Sequence, residues 1–305
     1  MFRPVVNMCN HASARLIAPV ALVALALLSG CRMNEAVYAP NGDRIVYMRP
    51  PLVKVVEELD ERHLAADSVC ASLNVTLHDN EKNKVYQLVG TYLGDKNGNL
   101  RLQIKATTGQ TILDMGVHKD QMDVWLPRKG RFYRGNRQDL LNASECQLAL
   151  FAHIGAARDL FFPRAWTANA IERRVTFEHG REVISVIEKP GFIRKRARRL
   201  TVAPESATVE SVEVYDKYGR EVGTVAYSDY KMPGEGQPEA DALGLLYPNR
   251  IVLQSHNATH TLELEIDQVD FNMDISEEKF HVKLPENQRV LDLDQKLRRC
   301  VNLWE

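Results

Sequence analysis

The 305-residue sequence contains few cysteines and lacks the motifs of the common catalytic and metal sites. Its five cysteines include no Cys-x-x-Cys pair, which argues against a zinc or thiol redox site. A Gly-x-Ser-x-Gly nucleophile elbow, a phosphate-binding glycine loop and a His-Glu-x-x-His zinc motif are also absent. We therefore predict that the protein is not an enzyme and holds no cofactor or metal ion.

The chain also lacks an excess of charge and an apolar run long enough to span a bilayer. Its formal net charge is −1, so no basic field indicates a nucleic-acid partner. The apolar stretch from Leu16 to Leu28 is shorter than the roughly 20 residues that a transmembrane helix needs. With 45% apolar residues, the chain can nevertheless bury a core.

This apolar stretch is typical of a bacterial lipoprotein signal peptide. Arg3 and Arg15 form its positive N-terminal part, and it ends in Leu28-Ser29-Gly30-Cys31. Two small residues before a cysteine predict cleavage at that point and attachment of diacylglycerol, with acyl chains such as palmitate, to the Cys31 thiol through a thioether. Two or three chains hold a protein firmly, because each buried methylene contributes about 0.8 kcal/mol. We expect residues 1–30 to be the signal peptide and the mature chain to be anchored to a membrane.

The remaining chain divides into a tether and one domain. Pro40, Asn41-Gly42 and Pro50 are loop signals, so residues 31–50 are predicted to be flexible. Residues 51–305 are predicted to be a single domain. Arg32, rather than an aspartate, follows the lipidated cysteine, which favours the outer membrane over the inner one. At most one disulfide is available, and the sequence leaves its pairing open among Cys70, Cys146 and Cys300.

Two helices are predicted in a chain composed mainly of strands. Pro51 begins the first helix, and an apolar stripe that includes His63 continues from Leu52 to Cys70. A capping box at Ser144-x-x-Gln147 begins the second, which Pro163 ends. Period-two alternation predicts strands elsewhere, over residues 72–78, 84–93, 100–106, 110–117, 121–126, 174–179, 182–188, 193–202, 209–216, 220–230, 249–256, 260–272 and 279–283.

The order of these elements resembles the LolA/LolB-like family of envelope lipoprotein carriers, receptors and their relatives. The resemblance lies in stretches such as Leu73-Asn74-Val75-Thr76-Leu77, Asp123-Val124-Trp125-Leu126-Pro127 and Tyr247-Pro248-Asn249-Arg250-Ile251-Val252-Leu253. It implies an α+β fold, a curved antiparallel incomplete β-barrel (half-barrel) with helices covering the open side. It also implies that acyl chains are held inside the barrel.

A hydrophobic cavity for an acyl ligand is therefore expected inside the sheet. The ligand would be a lipid or the lipid anchor of another lipoprotein, and the cavity would be mostly apolar. Ordinary packing of a filled core is the alternative for the same side chains. The residues predicted to line the cavity are Tyr86, Leu88, Leu100, Leu102, Ile104, Val124, Trp125 and Leu126.

A basic run in the second half of the chain is the sharpest charge feature. Alternation along a strand predicts Arg194, Arg196 and Arg198 on one face and Lys195 and Arg199 on the other. The first three are candidates for contact with anionic headgroups, at about 1 kcal/mol per charge near a membrane. The alternative is an exposed strand whose charges prevent edge-to-edge aggregation.

Together these features predict a lipid-anchored protein of the bacterial cell envelope, on the outer membrane and facing the periplasm. Its predicted role is to bind an acyl ligand for transfer or for outer-membrane biogenesis. The alternative is a structural or stress-sensing envelope lipoprotein that has a filled barrel and acts through protein partners. Neither role requires covalent chemistry or nucleic acid.

Overall fold

The computed structural model describes residues 50–136, 157–163, 170–179, 181–188, 195–203, 205–216, 218–233, 245–256 and 259–293. All of these residues belong to one compact unit, Arg49–Glu305. They form one sheet of fourteen strands and one α-helix. No helix among them is both long and apolar enough to cross a membrane. The predicted signal peptide and Cys31 lie outside the described residues.

The sheet consists of two meanders that meet at its centre. Its strands lie in the order β14-β6-β5-β4-β3-β2-β1-β13-β12-β11-β10-β9-β8-β7. Neighbours are antiparallel except for β14 and β6, which are parallel. Within the described residues the edge strands β14 and β7 do not pair with each other, so the sheet is open. The strands are β1 (Ser68–Asp79), β2 (Lys84–Asp95), β3 (Leu100–Ala106), β4 (Thr111–His118), β5 (Gln121–Leu126), β6 (Arg131–Asn136), β7 (Ala170–Glu178), β8 (Arg181–Glu188), β9 (Lys195–Ala203), β10 (Thr208–Tyr215), β11 (Glu221–Lys231), β12 (Tyr247–Ser255), β13 (His260–Phe271) and β14 (Val290–Asp292).

Helix α1 (Pro50–Ala65) packs against one face of this sheet. Prolines are tolerated in the first turn, where the backbone N–H groups have no partner inside the helix. Val55, Val56 and Leu59 are buried in the same apolar cluster as the strand side chains. At the other end of the helix, the Arg62 guanidinium donates hydrogen bonds to the carbonyl oxygens of Ala207 (2.7 Å) and Ser206 (3.2 Å). The helix is thereby tied to the β9–β10 turn.

The predicted extension of this helix to Cys70 is wrong. Asn272 amide Oδ1 accepts a hydrogen bond from the backbone N–H of Asp67 (2.7 Å), and its Nδ2 donates to the carbonyl of Ala65 (3.2 Å). This side chain satisfies backbone groups at the end of the helix, so the chain turns and enters β1 at Ser68. Cys70 therefore lies in a strand, forms no disulfide, and has its thiol pKa raised by burial.

One face of the sheet, here called the inner face, carries the side chains of a single apolar cluster shared with α1. The pleat places alternate residues of each strand on this face. Cross-strand pairs such as Tyr92–Leu102, Val75–Leu264 and Val225–Val212 continue the cluster from one meander to the other. Its members include Leu73, Val75, Tyr92, Leu102, Ile104, Leu113, Met115, Val124, Tyr133, Ile184, Leu200, Val212, Val225, Ile251 and Leu264.

Two short 3-10 helices account for further differences from the predicted elements. The second predicted helix lies outside the described residues as far as residue 156, and its last turn is the 3-10 helix η2 (Ala157–Leu160). The predicted strand 279–283 is wrong, because Glu277–Phe280 forms the 3-10 helix η3. Beyond η3 the chain crosses the opposite, outer face of the sheet and enters β14 beside β6.

A glycine makes this crossing possible. Phe280 and Val282 are buried where the chain passes Gly116 of β4. A Cβ atom on Gly116 would lie 2.4 Å from the Phe280 carbonyl oxygen, closer than real Cβ contacts allow. Only a residue without a side chain therefore lets the C-terminal segment lie flat on the sheet.

We expect Gly116→Ala to destabilise the protein by about 1–3 kcal/mol, the usual cost of overpacking a well-packed site. The methyl group forces Phe280 and Val282 away from the outer face. Denaturant unfolding measures the loss, and hydrogen exchange locates it to residues 277–292. A stability within error of the wild type would contradict this packing.

A buried charged cluster on the inner face

The inner face gathers six of the eight residues predicted to line the cavity. Six are buried and share the apolar cluster: Leu88, Leu100, Leu102, Ile104, Val124 and Leu126. Leu102, Ile104 and Val124 have no exposed surface at all. Together with Leu113 and Met115 of the intervening strand β4, these six side chains form one continuous apolar surface from β2 to β5.

The other two residues lie apart from this surface. Trp125 follows Val124 in β5, so the pleat points it to the outer face, where its ring lies 6.4 Å from that of Phe132. Tyr86 is on the inner side of β2 but is 41% exposed. It pairs with Leu77 of β1 but precedes Leu88, where pairing with β3 begins, so β3 does not cover its other side.

The prediction that Arg196 and Arg198 share a strand face is wrong. Val186 lies opposite Arg198, but the next residue, Ile187, lies opposite Arg196, so β9 bulges at Ala197. A bulge inserts one residue and reverses the alternation. Arg196 therefore faces outward, with its guanidinium 5.6 Å from the centre of the Tyr215 ring.

The arginines of this run consequently have different environments. Arg199 lies on the outer face, where it forms ion pairs with Glu178 and Glu213. Arg198 lies on the inner face and is only 7% exposed. Arg194 and the side chain of Lys195 lie outside the described residues.

Arg198 belongs to a charged cluster buried on the inner face. Its Nη1 lies 3.3 Å from Oδ2 of Asp159, which is 1% exposed and comes from η2. Val186 and Val214 flank Arg198 on the neighbouring strands, and both are buried. A buried ion pair of this kind is costly to desolvate and is weak evidence for stability, so its presence calls for a functional explanation.

Helix α1 contributes His63 to the same cluster. The imidazole Nδ1 lies 2.8 Å from the carbonyl oxygen of Phe162 and 3.4 Å from Oδ1 of Asp159. Because a carbonyl oxygen only accepts, Nδ1 is the protonated nitrogen of this contact. The cluster thus joins a helix, the 157–163 segment and a strand.

Aromatic side chains surround this cluster and anchor the 157–163 segment. The Phe161 ring lies 5.3 Å from Tyr92, and the Phe162 ring lies 5.4 Å from Phe271. Burial raises the pKa of the Tyr227 phenol well above its ordinary value of 10. The nearby Tyr230 and Asp159 raise this pKa further, whereas the charge of Arg198 lowers it. The segment therefore rests on the inner face through both apolar and charged contacts.

Glu182 is a second buried acid on the inner face. It is 5% exposed and lies opposite Val202, and its Oε2 is buried without a hydrogen-bond partner in the described part of the chain. Burial raises the pKa of this carboxyl above its ordinary value of 4.5. An acid whose pKa is raised on folding disfavours the folded state when it is ionised.

We expect Glu182→Gln to stabilise the protein at pH 7.5 and to have little effect at pH 4. At the higher pH, folding has either to bury the charged carboxylate or to protonate it, and both are a cost that the amide avoids. As the pH falls below 4.5 the carboxyl becomes protonated in the unfolded state as well as in the folded state, so the difference disappears. Thermal unfolding across this range measures the effect, with the exposed Glu205→Gln as control. An equal gain at both pH values would contradict the argument.

The described side chains offer no set of metal ligands. No group of three or more histidine, cysteine or acidic residues in the described part of the chain is arranged to hold a metal ion. His256 is exposed at the end of β12, whereas His260 is buried in β13, with its Nε2 3.9 Å from Asp79 Oδ1.

An open and mainly antiparallel sheet, with one apolar face against a helix, agrees with the LolA/LolB-like fold that the sequence resemblance predicts. A LolA superfamily protein from Nitrosomonas europaea has a similar structure, with a TM-score of 0.50 and 15% sequence identity. The similarity covers 75% of this chain and 97% of that protein. The chain therefore has the LolA-like fold that its sequence resemblance predicts.

The other comparisons give a weaker match or no match. A putative outer membrane lipoprotein-sorting protein domain from Vibrio parahaemolyticus matches 75% of this chain and 96% of its own, with 13% identity and a TM-score of 0.45. No family model and no curated protein matches the sequence.

Proposed function

We propose that this chain is a lipid-anchored protein of the bacterial cell envelope that binds the acyl chains of a lipid or of a lipoprotein anchor. The observation that carries the proposal is the apolar inner face, which extends from β6 across the sheet to β8. Removing acyl chains from water gains about 25 cal/mol per Å² of buried surface. The inner face is the part of the described molecule that offers such a surface.

Access to this surface requires α1 and the 157–163 segment to move. Both now occupy the inner face, through residues such as Leu59 and Phe161. A ligand that binds the displaced arrangement more tightly than the closed one shifts the population toward it. Binding and release are then a competition between the acyl chains and the protein's own apolar side chains.

The test uses the chain from residue 31 with Cys31→Ser, which retains the whole compact unit Arg49–Glu305. The protein is purified from a bacterial envelope, extracted with organic solvent, and the extract is analysed by lipid mass spectrometry. The delipidated protein is then titrated with a fluorescent fatty acid. A stoichiometric acyl species together with saturable uptake of the probe supports the proposal; a clean extract and no uptake refute it.

The negative result would favour the second candidate, a structural or stress-sensing protein with a filled barrel. The observation in its favour is that the protein's own side chains completely bury Leu102, Ile104 and Val124. Such a protein would co-purify with a stable protein partner and bind no acyl probe.

The proposed anchor is tested separately, by fractionation of cells that express the full chain. We expect the wild-type protein in the outer-membrane fraction, with acyl chains on an N-terminal peptide beginning at Cys31. A Cys31→Ser chain lacks that modified peptide. An unmodified wild-type N-terminus would refute lipid anchoring without affecting the proposal for the inner face.

A further inference from the structure

We infer that the acyl ligand is anionic and that Arg198 is the residue that selects its headgroup. The inference rests on the proposed function and specifies its ligand. In the structure the guanidinium is neutralised by Asp159. We propose that a carboxylate or phosphate at the head of the ligand takes the place of this aspartate when the acyl chains enter.

Arg198 is exceptional among the described residues, because it is the only arginine or lysine that is buried. A buried cation requires an anion nearby, since the cost of leaving it alone is high. A ligand that displaces Asp159 from this part of the inner face is therefore favoured if it brings a negative charge of its own.

The two partners of the ion pair are held very differently. Arg198 is fixed in β9, with paired strands on both sides. Asp159 lies on η2 in the 157–163 segment, which is not a strand of the sheet. The cation is thus part of the framework, while its anion is carried by a covering segment.

The position of Arg198 matches an amphipathic ligand. Its neighbours Val186 and Val214 continue into the apolar cluster, so acyl chains lie beside the cation. Glu182, the other acid of this meander on the inner face, is four residues from Val186 along β8, about 13 Å away. It is therefore too far away to repel a headgroup at Arg198 strongly.

The test compares two probes on the same Cys31→Ser protein, dansylaminoundecanoic acid and its uncharged methyl ester. At pH 7.5 we expect the wild type to bind the acid at least about tenfold more tightly, the range of one charge-assisted hydrogen bond. The double variant R198Q/D159N removes both charges, so no buried charge is left alone. It should bind both probes with similar affinity.

The matched control is R199Q/E213Q, which removes an ion pair between β9 and β10 on the outer face. It should keep the wild-type preference. Asp159→Asn alone should bind the acid more tightly, because it removes the internal competitor. Inorganic phosphate up to millimolar concentration should not displace the acid, since the acyl chain supplies the remaining affinity.

The outcomes separate the two proposals. Equal binding of acid and ester by the wild type, or a preference unchanged in R198Q/D159N, overturns the role of Arg198 and leaves the acyl-binding proposal standing. Failure of the wild type to bind either probe overturns both.

Discussion

Arg198→Met should lower the free energy of unfolding by about 3–5 kcal/mol, the range measured when one partner of a buried ion pair is removed. The substitution keeps an apolar side chain of similar length among Val186 and Val214. It removes the guanidinium from the carboxylate of Asp159, which is 1% exposed. The loss arises from breaking this buried ion pair, and denaturant unfolding at neutral pH measures it.

Two variants isolate the cause. Arg199→Met removes the neighbouring arginine, whose ion pairs on the outer face are partly exposed, and should cost no more than about 1 kcal/mol. The double variant R198M/D159N also removes the charge of the Asp159 carboxylate and should recover most of the stability lost in Arg198→Met. Equal losses of stability for Arg198→Met and Arg199→Met would show that breaking the inner ion pair costs no more than breaking the outer ones.

Alternation and turn signals predicted most of the sheet because they depend on neighbouring residues only. The predicted strand 121–126 coincides with β5, and 100–106 with β3. The strand predicted at 174–179 begins four residues later than β7. β14 was not predicted, because three residues beside β6 have no periodic pattern of their own.

The failures have a common physical origin in contacts between residues far apart in sequence. Nothing near Cys70 indicates that Asn272 ends α1 at Ala65. Likewise, the bulge at Ala197 comes from the register of β9 on β8, and it alone separates Arg196 from Arg198. Local alternation therefore finds a strand but misassigns its faces wherever a bulge intervenes.

The candidate site also has one part that the sequence predicts and one part that it does not. The apolar residues of β2, β3 and β5 follow from alternation, and the same alternation places Trp125, between Val124 and Leu126, on the opposite face of β5. The charged cluster was not predictable, since His63, Asp159 and Arg198 come from three elements and each has an ordinary local context. The one signal in the sequence was the arginine in β9 at a position where the alternation of the strand leads one to expect a buried apolar residue.

Leu102→Ala should lower the free energy of unfolding by about 2–5 kcal/mol, because its side chain is completely buried and the change leaves a void. Val85→Ala, on the neighbouring strand β2 but 57% exposed, is the matched control and should have little effect. Denaturant unfolding of both variants measures the difference. Similar losses for the two would contradict the assignment of Leu102 to the packed interior.

The same variant also distinguishes a binding surface from a filled core. If acyl chains displace α1 and lie on the inner face, they fill the space left by Leu102, so a saturating fatty acid restores part of the stability of Leu102→Ala. The gain in the variant should then exceed the gain that the same ligand gives the wild type, because binding to the folded state stabilises by mass action and the void adds contacts for the ligand. A core that is closed to ligands would show no recovery at any fatty-acid concentration. The defect of Leu102→Ala would in that case be one of packing alone.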